Sequence, residues 1–139
     1  MVSPLLDTAG LFLPPFYVET EKPVEVVAKD KDVTIRGRLD IAIIKDSFWV
    51  LTIEAKRAGL SLIVGIPQVI AYMLAASTPQ KEVYGMVTNG RNFVFVKLDR
   101  TSKNEPVYAQ SNEFILDQDD DLEQTLKIIK RLADITAEI

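Results

Sequence analysis

Two apolar, β-branched runs dominate the first half of the chain, Leu39 to Ile44 and Phe48 to Ile53, with Lys45-Asp46-Ser47 between them. A short polar interruption between such runs predicts a β-hairpin, with strands over 33–44 and 48–56. In the second strand Phe48, Val50 and Thr52 fall on one face and Trp49, Leu51 and Ile53 on the other. A strand apolar on both faces belongs in the middle of a sheet covered on both sides. Glu54 and Lys56 therefore emerge, on one face, from the end of a strand expected to be buried, where ionised groups need a partner or a task.

The first strand supplies a third polar residue, Asp40. With a three-residue turn at 45–47, Asp40 lies opposite Thr52, and Glu54 becomes its diagonal neighbour at roughly 7–8 Å. A two- or four-residue turn sends Asp40 to the other face unless a bulge corrects it.

The remaining pattern gives the other elements. Ser3-Pro4 to Gly10 predicts one or two helical turns, and Pro14-Pro15 breaks the backbone into an extended stretch. Val24 to Ala28 reads as a strand closed by the charged turn 29–32. A helix follows the hairpin from Leu62 or Ile66 to Ala76, with Pro67 in its first turn or at a kink. Val83–Thr88 and Arg91–Leu98 are strands joined by Asn89-Gly90, a strong hairpin signal. Val107–Ala109 and Phe114–Leu116 are short apolar pieces of open type. Asp120 with Glu123 predicts a capping box for a last helix whose stripe is Leu122, Leu126, Ile129, Leu132 and Ala133. Strands alternating with helices predict an α/β class, a mixed sheet flanked by helices, in one domain over residues 1–139.

Composition narrows the chemistry. The 139 residues are 47% hydrophobic and 26% charged, ordinary values for a globular protein. No apolar run has the length of a membrane span and no signal-peptide pattern opens the chain, so a cytoplasmic protein without membrane contact is the expectation. The absence of His and Cys excludes thiol catalysis, a Ser–His–Asp triad and His/Cys zinc sites. Carboxylates without His favour a hard ion such as Mg²⁺. The net charge of −4 opposes tight nucleic-acid binding. Residues 117–139 carry seven acidic against three basic residues, which leaves residues 1–116 balanced at 13 of each.

Taken singly, the polar candidates have plain structural explanations. Asp40, Glu54 and Lys56 could be a cross-strand ion pair. Gln68 and Tyr72 share a helix face, with Tyr72 suited to the core. Arg36, Arg38 and Arg57 could be solvated strand-end charges, Thr88-Asn89-Gly90 a turn, and Trp49 core.

In this order, Arg38-Leu39-Asp40, Ile53-Glu54-Ala55-Lys56-Arg57, Gln68-x3-Tyr72 and Thr88-Asn89-Gly90 resemble the PD-(D/E)xK nuclease superfamily. The likeness is nearest to the N-terminal nuclease domain of the motor subunit of type I restriction enzymes and to small stand-alone relatives of it. The resemblance implies a restriction-endonuclease-like fold and a Mg²⁺- or Mn²⁺-dependent DNA endonuclease of restriction–modification type. By it, Asp40, Glu54 and the Ala55 carbonyl hold the metal, and Lys56 is the catalytic lysine. Gln68 and Tyr72 are the accessory catalytic motif, and Arg38 and Arg57 contact the substrate. Its partners would be DNA, a second copy of the chain, or other subunits of a restriction system. Leu39 replaces the proline that gives the family its name. The family's acidic first-helix residue has no counterpart here: Pro4 to Gly10 resembles only the end of that helix, so part of it is expected to be missing. That departure and the acidic balance favour the rival reading, a non-catalytic nucleic-acid-binding or assembly module that retains the fold.

Overall fold

The computed structural model describes residues 2–28, 33–45, 48–56, 61–76, 80–101 and 105–137, with backbone alone at 2–3, 21–28, 33–39, 48 and 136–137. The chain runs α1 (Val2–Thr8), β1 (Tyr17–Ala28), β2 (Val33–Lys45), β3 (Phe48–Ala55), a one-turn 3-10 helix (Leu62–Gly65) and α2 (Ile66–Ala75). It continues through β4 (Glu82–Thr88), β5 (Asn92–Asp99), β6 (Val107–Gln110), β7 (Phe114–Ile115) and α3 (Asp121–Ala137). The predicted α/β class holds. A seven-stranded mixed sheet in the order β1-β2-β3-β4-β5-β6, with β7 also on β5, lies between α2 on one face and α1 and α3 on the other. This layout is consistent with a restriction-endonuclease-like fold.

The β3–β4 pair is parallel and the other strand pairs antiparallel. Parallel neighbours need a crossover, and α2 supplies it by packing across the sheet. Its apolar face meets the sheet through Val69 and Met73 over Val83, Val87, Val94 and Val96. Tyr72 and Ala76 cover Ala42, Ile44 and Trp49. On the opposite face Ile43, Leu51, Ile53, Met86, Phe93 and Phe95 pack against Leu5 and Leu6 of α1 and Ile129 and Leu132 of α3. β3 is thus buried on both sides, as its double apolar pattern requires.

Several elements differ from expectation. β1 begins at Tyr17, seven residues early, and includes Pro23 because it is an edge strand and need not donate from every N–H. The helix after the hairpin realises both predicted starts, with a 3-10 turn from Leu62 leading into α2 at Ile66 and Pro67 in its first turn. The two short apolar pieces are the strands β6 and β7. At the start of α3, Asp120 Oδ2 accepts from Gln124 Nε2 (3.1 Å), and Asp121 Oδ2 takes the Ile115 N–H (2.9 Å), tying the helix to β7. Leu122 is 40% exposed, so the buried stripe of α3 begins a turn later than expected.

α1 ends as predicted. Gly10 has φ +80°, its N–H donates to the Asp7 carbonyl, and the Leu11 N–H donates to the Leu6 carbonyl, closing the helix in a Schellman motif.

Candidate active site

The hairpin that carries the site corrects the predicted register. Lys45 pairs with Phe48, leaving a two-residue connection at 46–47, which lie outside the described residues. Ile44 pairs with Trp49 but Ile43 with Leu51, so Val50 is passed over in a bulge. The bulge exchanges the faces of β3. Trp49 points with Ile44 toward α2, and beyond Val50 it is Thr52, paired with Ala42, that takes that side. One further step from the Ile41–Ile53 pair sets Asp40 level with Glu54, not with Thr52 as the three-residue turn predicts. The two carboxylates come together through a shorter turn and a compensating bulge.

The backbone ladder between β2 and β3 stops at Ile41–Ile53, and the next donor of β3, the Ala55 N–H, goes to Asp40 Oδ2 at 2.9 Å. In an extended strand the N–H and C=O of one residue leave on the same side. The Ala55 carbonyl therefore leaves β3 on the side where Asp40 lies. The Lys56 N–H turns the other way, donating to the Thr88 carbonyl of β4 at 2.7 Å. Thr88 is fully buried, and its Oγ1 accepts the Gly90 N–H (2.9 Å). The Thr-Asn-Gly turn thereby fixes the strand end that holds Lys56.

Glu54 is 4% exposed. Its Oε1 lies 3.1 Å from Lys56 Nζ, and its Oε2 is buried without a hydrogen-bond partner. Burial pushes the Glu54 carboxyl above its ordinary value and nearby Asp40 adds to the rise, while Lys56 opposes it. The Lys56 ammonium also donates to Gln68 Oε1 (2.5 Å), so the first turn of α2 reaches back to the strand end.

Asp40, Glu54, Ala55, Lys56 and Gln68 are thus brought together. Tyr72 is not: one turn beyond Gln68, it is 8% exposed and packs on Ala42, Ile44 and Trp49. Its contribution here is to seat α2 on the sheet. Arg38 stands in β2 opposite Pro23, and its side chain, like all of Arg57, lies outside the described residues. Trp49 is core, as expected.

Sequence reasoning missed Gly65. A Cβ at this position would fall 2.6 Å from Val87 Cγ1, 3.3 Å from Lys56 Cε and 3.6 Å from Glu54 Cγ. No sequence signal marks it, because the contact joins residues from β3, β4 and the 3-10 turn.

The residues present fit a divalent ion. Glu54 Oε2 is a buried acceptor lacking a donor, and Asp40, near enough to raise the Glu54 carboxyl, is held by the Ala55 N–H; carboxylate oxygens of this kind suit Mg²⁺. Among the described residues no group of three or more His, Cys, Asp or Glu gathers as a metal site, so an ion here would have two carboxylates at most. Among the same residues no helix is long and apolar enough to cross a membrane. Comparison with known proteins gives no match, whether to a family model, a curated protein or a solved structure.

Proposed function

We propose that the chain is a metal-dependent DNA endonuclease of the PD-(D/E)xK type, related in kind to the nuclease domain of type I restriction motor subunits. The observation that carries this reading is Glu54: a carboxylate buried at a strand end, one oxygen on Lys56 and the other without a donor, beside Asp40. A structural ion pair would satisfy both oxygens, whereas a cation site leaves one available.

Asp40, Glu54 and the Ala55 carbonyl would hold Mg²⁺ or Mn²⁺. When bound, the ion supplies a water of lowered pKa and neutralises charge on the scissile phosphate. Lys56 is a point charge beside this site, held by Glu54 and Gln68, and acts by orienting the attacking water or stabilising the phosphoryl oxygens. Gln68 fixes the direction of the ammonium and offers its amide N–H to water or substrate. Tyr72 supports both by anchoring α2. The substrate is DNA, with Arg38 and Arg57 the candidate backbone contacts. The rival reading, a binding or assembly module with the same fold, draws on the small number of carboxylates and the net charge of −4.

The test is nicking of supercoiled DNA at low salt with Mg²⁺ or Mn²⁺ against EDTA. Metal-dependent nicking is expected, with a loss of about 10²–10³-fold in Lys56→Ala. In parallel, saturating metal should raise the melting temperature, by about 2.7 kcal/mol of stability at a hundredfold excess over Kd, and should not do so in Asp40→Asn/Glu54→Gln. A melting shift without nicking selects the binding module. Nicking that survives Lys56→Ala unchanged rejects the assignment.

A further inference from the structure

Gly65 caps α2 with φ −86° and ψ −16°, a conformation open to any residue, so the backbone does not demand glycine there. Space does. Val87 Cγ1 lies 2.6 Å from where a Cβ would stand, closer than carbon atoms approach, and Lys56 Cε lies 3.3 Å away. Val87 cannot yield: it is β-branched, fully buried, and held among Leu62, Ile66 and Val94. The 3-10 turn itself would have to lift off the sheet. Gln68 is three residues further on, in the first turn of α2, and its Oε1 is the second acceptor of the Lys56 ammonium.

We propose that Gly65 is a positioning residue of the site: its missing side chain seats the 3-10 turn on Glu54 and Lys56 and so delivers Gln68 to the lysine. This rests on the nuclease reading for its catalytic consequence, but not for its geometric one. A side chain at residue 65 would press on Val87 and Lys56, and would meet Glu54 Cγ only at 3.6 Å, an ordinary contact that asks no movement of the carboxylate. Residue 65 therefore acts on the reaction through Lys56 and Gln68. Adding a methyl group there should impair the use of Lys56 more than it impairs metal binding.

Two readouts test this on the full chain: kinetics of nicking with Mn²⁺, and the rate at which Lys56 is acetylated by an N-hydroxysuccinimide ester, followed by peptide mass spectrometry. In Gly65→Ala, kcat should fall about 10–100-fold, the effect of misplacing a group by around 1 Å, with a smaller change in the Mn²⁺ half-saturation. Lys56 should be acetylated several-fold faster, having lost a partner. Val87→Ala restores room for the added methyl. The Gly65→Ala/Val87→Ala protein should recover both slow acetylation and most of kcat, whereas Val87→Ala alone should keep Lys56 protected. Two merely destabilising substitutions would instead add, and the double variant would be the worse. The proposal is overturned if Gly65→Ala leaves Lys56 acetylation at the wild-type rate, or if the double variant is no better protected than the single one. If the wild type cuts nothing but the acetylation pattern holds, the nuclease reading fails and the positioning of Lys56 by Gly65 stands.

Discussion

Glu54 with Lys56 and Glu82 with Lys97 are the same chemical pair in two regions of one sheet. The first sits under the start of α2, with N–O separation 3.1 Å and side chains 6% and 18% exposed. The second spans β4 and β5 on the face toward α3, at 3.5 Å, with side chains 48% and 50% exposed. Around Glu82 the surplus bonding capacity is used up, since its Oε2 accepts the Tyr84 hydroxyl at 3.0 Å. Around Glu54 it is not. Water screens the outer pair and makes it nearly neutral for stability, whereas the inner pair must cancel a desolvation cost with a single lysine. The inner pair is the costlier of the two to build, and this contrast is what the proposed site rests on.

The largest expected effect comes from breaking each pair at its lysine. Lys56→Ala strands a buried carboxylate and should cost roughly 3 kcal/mol in metal-free buffer at pH 7, whereas Lys97→Ala should cost under about 0.5 kcal/mol. Urea denaturation of both variants measures the gap, and equal losses would remove the distinction between the regions.

A smaller effect should follow from neutralising the inner carboxylate. The folded state holds the Glu54 proton more tightly than the unfolded chain, whose carboxyl titrates near 4.5. The stability this group contributes is therefore fully present below that pH and is lost as pH rises from it through the higher folded value. Glu54→Gln should abolish that decline and leave the metal-free protein as stable as the wild type at pH 7, or more so. A variant that is less stable at every pH would mean that Glu54 is a structural ion-pair partner.

The smallest effect belongs to the outer region. Partial burial, and then the hydrogen bond to Glu82, push the Tyr84 hydroxyl up to about 12 from 10.0. The unfolded chain loses that proton first, so wild-type stability should fall between about pH 10 and 12. Tyr84→Phe should lack this part of the alkaline loss, at a cost below about 1 kcal/mol at neutral pH. Paired alkaline melts of the two proteins measure it.

Periodicity and turn chemistry made much of the fold legible: the doubly buried β3, the Asn89-Gly90 hairpin, the end of α1 at Gly10 and the face of α3. Glu54 and Lys56 were legible as candidates because ionised residues directly after an apolar strand invite the question of what they face, and Asp40 by its place across the hairpin, whereas Gln68 entered only through the family resemblance. The register was not. β3 is apolar on both faces, so sliding it by one residue exposes nothing and the pattern has no means of recording the slip. Tyr72 could be read as suited to the core, but not which residues it would cover, since that depends on how closely α2 approaches Ala42 and Trp49. Gly65 was invisible because the chain is silent about contacts made only after three elements have assembled.

The bulge at Val50 makes the site a matter of parity. With Ile44 and Trp49 paired, drawing Val50 into the ladder would set it opposite Ile43 and Leu51 opposite Ala42, one place out of the observed register. That slip would not shift the carboxylate of β3 by a few ångströms along the sheet. It would rotate Thr52, Glu54 and Lys56 through the plane, into the apolar layer beneath α1 and α3, and carry Leu51 and Ile53 to the side of α2. Deleting Val50 outright has the opposite outcome: the bulge closes, Ile43–Leu51 and the later pairs stay as they are, and Glu54 keeps its side. The residue that the ladder passes over is thus what sets the face of the site, and a relative of this chain without the bulge must drop that residue or take it up in its turn to keep Asp40 and Glu54 as partners.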